Sequence, residues 1–135
     1  MLRTIFIDTQ FVVAIANERD QQHERAKDLA KSCVGSRFVV TEPILLEIGN
    51  ALARKFKEYA IHTIDQFLES KDTELVRLTP GLFEAGYSLY KSHRDKEWGV
   101  VDCISFVVMR KAGIAEALTF DQHFVQAGFR ALMRE

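Results

Sequence analysis

The chain is poor in the residues that break or cross-link a fold, and its charges nearly cancel. Two prolines and seven glycines in 135 residues leave no Pro/Gly-rich or low-complexity tract, which argues against long disordered segments. The two cysteines, Cys33 and Cys103, lie far apart and fit no CxxC or Cys/His ligand pattern, so they read as reduced, buried thiols of a cytoplasmic protein. No run approaches the roughly 20 apolar residues of a membrane span. Met1, Leu2, Arg3 and Thr4 lead only into a short apolar stretch ending at Asp8, unlike the charged start and long apolar segment of a secretory leader. Eighteen Lys and Arg stand against 19 Asp and Glu, a formal net charge of -1. Without a global positive field the chain is not a histone-like or arginine-tail binder, whose affinity comes from many unopposed phosphate contacts. An enzyme that meets a polyanion locally is not excluded.

What the chain does have is apolar content. At 47% apolar over 135 residues it suffices for one ordinary domain and not for two, and with no internal repeat or linker it reads as a single domain, 1–135. Thr4-Ile5-Phe6-Ile7 is a continuous β-rich run of the kind buried on both faces of a parallel sheet. Phe11 to Ala16 comes next as a very apolar helix, and Gln21 to about Cys33 as an amphipathic one stopped by Gly35. Arg37 to Val40 reads as a second strand. Thr41 and Pro43 start a helix reaching about Lys57, and Ala60 to Glu69 forms another. Glu74 to Leu78 reads as a third strand, with a helix after it from Pro80 to about Lys91. A strongly apolar helix begins at Asp102 and closes at Gly113. Ala117 to Thr119 is a short strand, Asp121 to Ala127 a small helix, and Phe129 to Leu132 an edge strand. Alternating strands and helices predict a three-layer α/β/α fold with a central, mainly parallel sheet of four to five strands and right-handed crossovers.

Open α/β sheets bind ligands beyond the carboxyl ends of their strands. Asp8 directly follows the first strand, and Asp121 stands just past Ala117-Leu118-Thr119. Either acid alone has a bland explanation as a helix N-cap. Glu47 sits among Ile44, Leu45, Leu46 and Ile48, and Asp102 is flanked by Val100, Val101, Cys103 and Ile104. A carboxylate in such surroundings is costly unless a cation or donor compensates it. Solvent exposure of Glu47 and local capping by Asp102 explain each singly, but a shared site explains the set better. Converging carboxylates repel and need cations. Oxygen ligands select hard ions, so Mg²⁺ or Mn²⁺ is the expected cofactor, and such a cluster suits phosphodiester hydrolysis.

The order of these motifs resembles the PIN-domain ribonucleases. Ile7-Asp8-Thr9, Leu46-Glu47-Ile48-Gly49-Asn50-Ala51-Leu52, Trp98-Gly99-Val100-Val101-Asp102-Cys103-Ile104-Ser105-Phe106 and Leu118-Thr119-Phe120-Asp121-Gln122-His123-Phe124 carry the likeness over almost the whole chain. It looks like the VapC-type toxins of bacterial toxin–antitoxin pairs. The resemblance implies a PIN-like fold and metal-dependent endonucleolytic cleavage of RNA by Asp8, Glu47, Asp102 and Asp121, which would also be the metal ligands. It gives Thr9 the place of a supporting hydroxyl, with Asn50 and Ser105, each three residues after an acid, as further supporting candidates. It also implies a homodimer and a cognate antitoxin that blocks the site. Two departures stand out: Gly99-Val100-Val101 lacks the hydroxyl that many relatives carry before the third acid, and Cys103 replaces a frequent Ala.

The other candidates read as structural. Arg54, Lys55 and Lys57, then Lys91, Arg94 and Lys96, then Arg110 and Lys111 are basic clusters best taken as solvated helix ends, with an RNA path as the sharper alternative. Trp98 reads as a packing anchor, His123 as a local packing or capping residue outside the site, and His23, His62 and His93 as surface residues. A haloacid-dehalogenase phosphatase requires an acid where Gln10 stands, and a receiver domain requires an acid paired with Asp8; both fit poorly. A catalytically quiet RNA- or protein-binding module is the remaining alternative.

Overall fold

The computed structural model describes residues 3–135; Met1 and Leu2, on which the reading of the leaderless start partly rests, lie outside them. The elements, in chain order, are β1 (Thr4–Ile7), α1 (Thr9–Ala16), α2 (His23–Ser32), β2 (Arg37–Thr41), α3 (Glu42–Leu52), α4 (Lys57–Glu69), β3 (Thr73–Val76), α5 (Pro80–Ser92), α6 (Val100–Ala112), β4 (Glu116–Leu118), α7 (Gln122–Gln126) and β5 (Arg130–Ala131), with a terminal 3₁₀ turn at Leu132–Arg134. The sheet has five strands in the order β3-β2-β1-β4-β5, and every pairing is parallel.

The apolar first strand occupies the middle of that sheet. Ile5 pairs with Phe38 on one side and with Glu116 on the other, and Ile5, Phe6 and Ile7 are all buried. The chain moves outward from β1 to β2 to β3, then crosses back to β4 on the opposite side of β1. Right-handed crossovers therefore place α1–α4 on one face and α5–α7 on the other. The order reverses between β1 and β4, and that reversal opens a crevice at their carboxyl ends.

The α5–α7 face is filled by an aromatic cluster. Trp98 packs edge-on against Phe106, with centroids 5.1 Å apart, and Phe106 against Phe124 at 5.0 Å; Phe124 in turn meets Phe6 of β1. The Trp98 indole N–H donates to Gln126 Oε1 at 2.9 Å, so the buried ring has its polar atom satisfied. This cluster fixes the start of α6 against α7, as expected of a packing anchor. His93 stacks on Trp98 at 4.8 Å, and His23 Nδ1 lies 2.7 Å from the Ala14 carbonyl; both are half-buried rather than surface residues. Cys33 and Cys103 are free and buried, as expected, and burial first, with Asp102 adding, pushes the Cys103 thiol up to about 11, so it stays protonated.

Element boundaries differ from expectation where side chains intervene. The helix capped by the Thr41 hydroxyl, which accepts from Ile44 N–H, ends at Leu52 and not near Lys57. Phe56 turns in against the core there, and α4 starts immediately after it. β3 stops at Val76 because Glu42 captures the two residues beyond it: Arg77 Nη1 and Leu78 N–H donate to its carboxylate oxygens at 2.7 and 3.0 Å. Gly113 closes α6 with φ of 69°, the left-handed geometry that glycine adopts freely. No helix among the described residues is long and apolar enough to cross a membrane.

Helices α5 and α6 form a close pair that carries Asp102, and Gly86 is its contact point. A Cβ there would stand 2.5 Å from Ile104 Cγ1 and 3.2 Å from the Ile104 backbone. Gly86→Ala is therefore expected to lower stability by about 1–3 kcal/mol, read as a lower urea midpoint. An unchanged midpoint would show that the helices separate freely.

Candidate active site

The crevice at the carboxyl ends of β1 and β4 is an open cavity of about 520 Å³, lined by Asp8, Thr9, Gln10, Glu47, Asn50, Ala51, Asp102 and Asp121. Four acids separated widely in sequence thus come together, with Thr9 and Asn50 beside them. Each arrives on a different element: Asp8 from the end of β1, Glu47 from α3, Asp102 from the first turn of α6, and Asp121 from the loop between β4 and α7. Ser105 is the exception among the expected residues. It is fully buried, and its hydroxyl donates to the Val101 carbonyl at 3.1 Å, the turn behind it on its own helix, so it does not line the cavity.

Hydroxyl groups tie the acids to the scaffold. The Thr119 hydroxyl donates to Asp8 Oδ2 at 2.7 Å and accepts from Asp121 N–H at 3.0 Å. The Thr9 hydroxyl donates to Glu47 Oε1 at 2.6 Å, joining the start of α1 to α3. Asp8 stands at the N-cap of α1, yet its carboxylate makes no capping hydrogen bond. The capping explanation therefore fails for Asp8. It holds in part for the others: Asp102 Oδ2 accepts from Gly99 N–H at 3.1 Å, and Asp121 Oδ1 from His123 N–H at 2.9 Å. These two carboxylates cap and converge at once. The Gly99 bond also gives the loop without the expected hydroxyl a backbone role in holding the third acid.

His123 is the residue that sequence reasoning missed. Its Nδ1 is hydrogen-bonded to Asp102 Oδ2 at 3.1 Å and lies 3.3 Å from Asp121 Oδ1, so the ring sits against both acids. Ligand atoms of Asp102, Asp121 and His123 all fall within 4.8 Å of one another, a spacing able to hold a metal ion. The signal was its place two residues after Asp121, where the first turn of a short helix folds the ring back over the cap.

The electrostatics of the cavity favour a cation. Asp8 is only 5% exposed. Burial drives its carboxyl from an ordinary 3.8 up to about 7; the Thr119 hydrogen bond opposes this, and the negative charges of Asp102 and Asp121 add to it. The Thr9 backbone N–H at the start of α1 also opposes the rise without cancelling it. A donor set of four carboxylates with one imidazole suits a hard divalent ion, which would remove the repulsion directly.

Similarities to known proteins accompany this geometry. The pattern defining the PIN domain matches residues 5–130. The chain is 33% identical over 125 residues to the 23S rRNA-specific endonuclease VapC20 of Mycobacterium tuberculosis, covering 93% of this chain and 95% of that protein. The crystal structure of M. tuberculosis VapC20, described as a sarcin–ricin loop cleaving toxin, aligns with a TM-score of 0.83 at 32% identity over 93% of this chain and 95% of that one. VapBC2 from Rickettsia felis, bound to a DNA fragment from its promoter, aligns at 0.63 with 15% identity over 95% and 96% of the two chains, a likeness of fold alone.

The raised Asp8 value sets a pH dependence of stability. Because its folded-state value lies above the unfolded one, its contribution is fully present below about pH 4 and is lost as pH rises through about 7. Asp8→Asn stays neutral and can still accept from Thr119. In chelator at pH 8 it should be more stable than the wild type by up to roughly 4 kcal/mol, the difference closing as pH falls to 4. Parallel unfolding curves for the two proteins across that range would contradict the buried-charge reading.

Proposed function

The chain belongs to the PIN-domain family, and on that premise we propose that it is a metal-dependent endoribonuclease, the toxin of a type II toxin–antitoxin pair, acting as a single domain over 1–135 in the cytoplasm. The observation that carries this reading is the convergence of Asp8, Glu47, Asp102 and Asp121 on one cavity at the sheet's switch point. These four are the proposed catalytic acids and ligands for Mg²⁺ or Mn²⁺. A bound divalent ion supplies a water of lowered pKa and positive charge against the scissile phosphate.

The chain's own groups do the rest. Asp8, held by the Thr119 hydroxyl, is the most deeply buried of the four acids and forms the floor of the site. Glu47 is fixed by Thr9, so α3 cannot drift from the start of α1 without losing a short hydrogen bond. His123 holds Asp102 through its ring and Asp121 through its backbone N–H, and the Gly99 N–H fixes the rotamer of Asp102. Asn50, exposed at the rim, presents an amide to an incoming phosphate or ribose. Four fixed carboxylates admit a polyanion only with a cation between them, which couples substrate binding to metal binding.

The partners are an RNA substrate, a cognate antitoxin that covers the acidic cavity, and a second copy of the chain in a homodimer. The relatives' substrate makes 23S rRNA the first RNA to test.

Purified protein is expected to cleave RNA with Mg²⁺ or Mn²⁺ and to stop in chelator. Asp8→Asn should reduce the rate on the order of 100-fold or more, while remaining folded. Equal cleavage by this variant sinks the assigned site, and RNA binding without cleavage under any metal favours the catalytically quiet module instead. Induced expression alone should arrest growth, and co-expression of a small neighbouring reading frame should relieve it. A monomer in sedimentation equilibrium would remove the homodimer.

A further inference from the structure

Beside the acidic cavity lies a second one of about 280 Å³, lined by residues that include Thr9, Gln10, Phe120 and Met133. Thr9 and Gln10 line both cavities, so the two share a wall. Phe120 stands between Thr119, which holds Asp8, and Asp121 itself. It is 38% exposed and belongs to neither core cluster. The backbone that carries this aromatic side chain is fixed on both sides, and a guanidinium lies over the ring. Phe120 N–H donates to Gln10 Oε1 at 3.1 Å, its carbonyl accepts from Arg134 Nη1 at 2.9 Å, and the Arg134 guanidinium lies 4.8 Å over the ring centroid. Among the described residues Arg134 forms no ion pair with a carboxylate, so no acid neutralises the charge beside the ring.

From this arrangement we infer that Phe120, backed by Arg134, is a base-stacking platform that seats the nucleotide flanking the scissile phosphate. The inference rests on the ribonuclease reading of the acidic cavity and names how that site positions its strand. The chemistry is that of single-strand binders: the ring offers a face to any base, and the guanidinium offers charge to the adjoining phosphate. Phe120 is a positioning residue. It lies one residue from Asp121, so a base stacked on it holds the adjoining backbone beside the carboxylates. Because every base has a π-face, the platform sets register and affinity rather than sequence.

The test uses a short single-stranded RNA, and versions of it with one abasic nucleotide at each position in turn. Binding is measured in Ca²⁺, and KM and kcat in Mg²⁺ or Mn²⁺. Removing one particular base should raise the wild-type Kd and KM roughly 10-fold. Phe120→Ala should raise both by a similar factor on intact RNA, with kcat nearly unchanged, and should lose nothing further at that abasic position. Phe120→Tyr, which keeps the ring, should behave as wild type, and urea midpoints confirm that the variants fold. Unchanged Kd and KM in Phe120→Ala overturn the platform, as do losses that add to those of the abasic substrate. A variant that keeps its RNA parameters but loses antitoxin affinity assigns the ring to a protein partner and also overturns it. Phe120-dependent binding by a wild type that cleaves no RNA overturns the enzyme reading and leaves the platform standing.

Discussion

One buried hydroxyl organises the site. Thr119 is completely enclosed at the point where β4 leaves the sheet, and its hydroxyl donates to Asp8 Oδ2 while accepting from the Asp121 N–H. A third link comes from the Asp8 N–H, which continues the ladder to the Leu118 carbonyl at 3.3 Å. The Thr119 carbonyl in turn accepts from Met133 N–H at 3.1 Å, which straps the terminal turn beneath the same corner. Because β1 and β4 are adjacent and parallel, these bonds bring two acids more than a hundred residues apart into one cavity. The positions of α6 and α7 are set with them, since Asp102 and His123 close the ring of contacts around Asp121.

That assembly carries an electrostatic tension that the rest of the fold sustains. Burying a carboxylate opposes folding, and at Asp8, on the cavity floor, burial raises the carboxyl most while the negative charges of Asp102 and Asp121 add to it. The aromatic cluster of Trp98, Phe106, Phe124 and Phe6 and the close α5–α6 contact at Gly86 hold the helices that bring Asp102 and His123 against that repulsion. Charged groups elsewhere are resolved differently. Glu116, at the far end of the sheet, is paired with both Arg3 and Arg130, and its carboxyl is held below its ordinary value, chiefly by Arg3. Glu116 is thus neutralised by arginines at the amino ends of the strands, whereas among the described residues the four acids of the cavity have no Lys or Arg partner. The near-zero net charge averages over these two arrangements.

Much of the fold was legible because burial writes itself into the sequence. The unbroken Ile5-Phe6-Ile7 run reads as a strand covered on both faces, and it is the sheet's centre. Thr41, read as the start of a helix with Pro43 in its first turn, caps that helix through its hydroxyl. The misread boundaries came from side chains acting at a distance. Glu42 pulls Arg77 and Leu78 off the end of β3, and Phe56 breaks a helix that propensity alone would continue. Ser105 failed for a related reason: a spacing of three places two residues on neighbouring parts of a helix surface, but Asp102 faces the cavity and Ser105 the core.

The sequence by itself determined the alternation of strands and helices and the parallel sheet, and it singled out four acids that line one cavity, because each of these comes from local apolar patterning or from short ordered motifs. It left the placement of His123, the role of Thr119 and the setting of Phe120 undetermined. Those depend on which strand lies beside β1 and on which helix packs against α7, and both are long-range outcomes of core packing and crossover handedness. Only when β4 is seated next to β1 does Thr119 reach Asp8, and only when α6 is held against α7 does the His123 ring lie against two carboxylates. The residues were chosen locally; their chemistry arises from distances that no local pattern encodes.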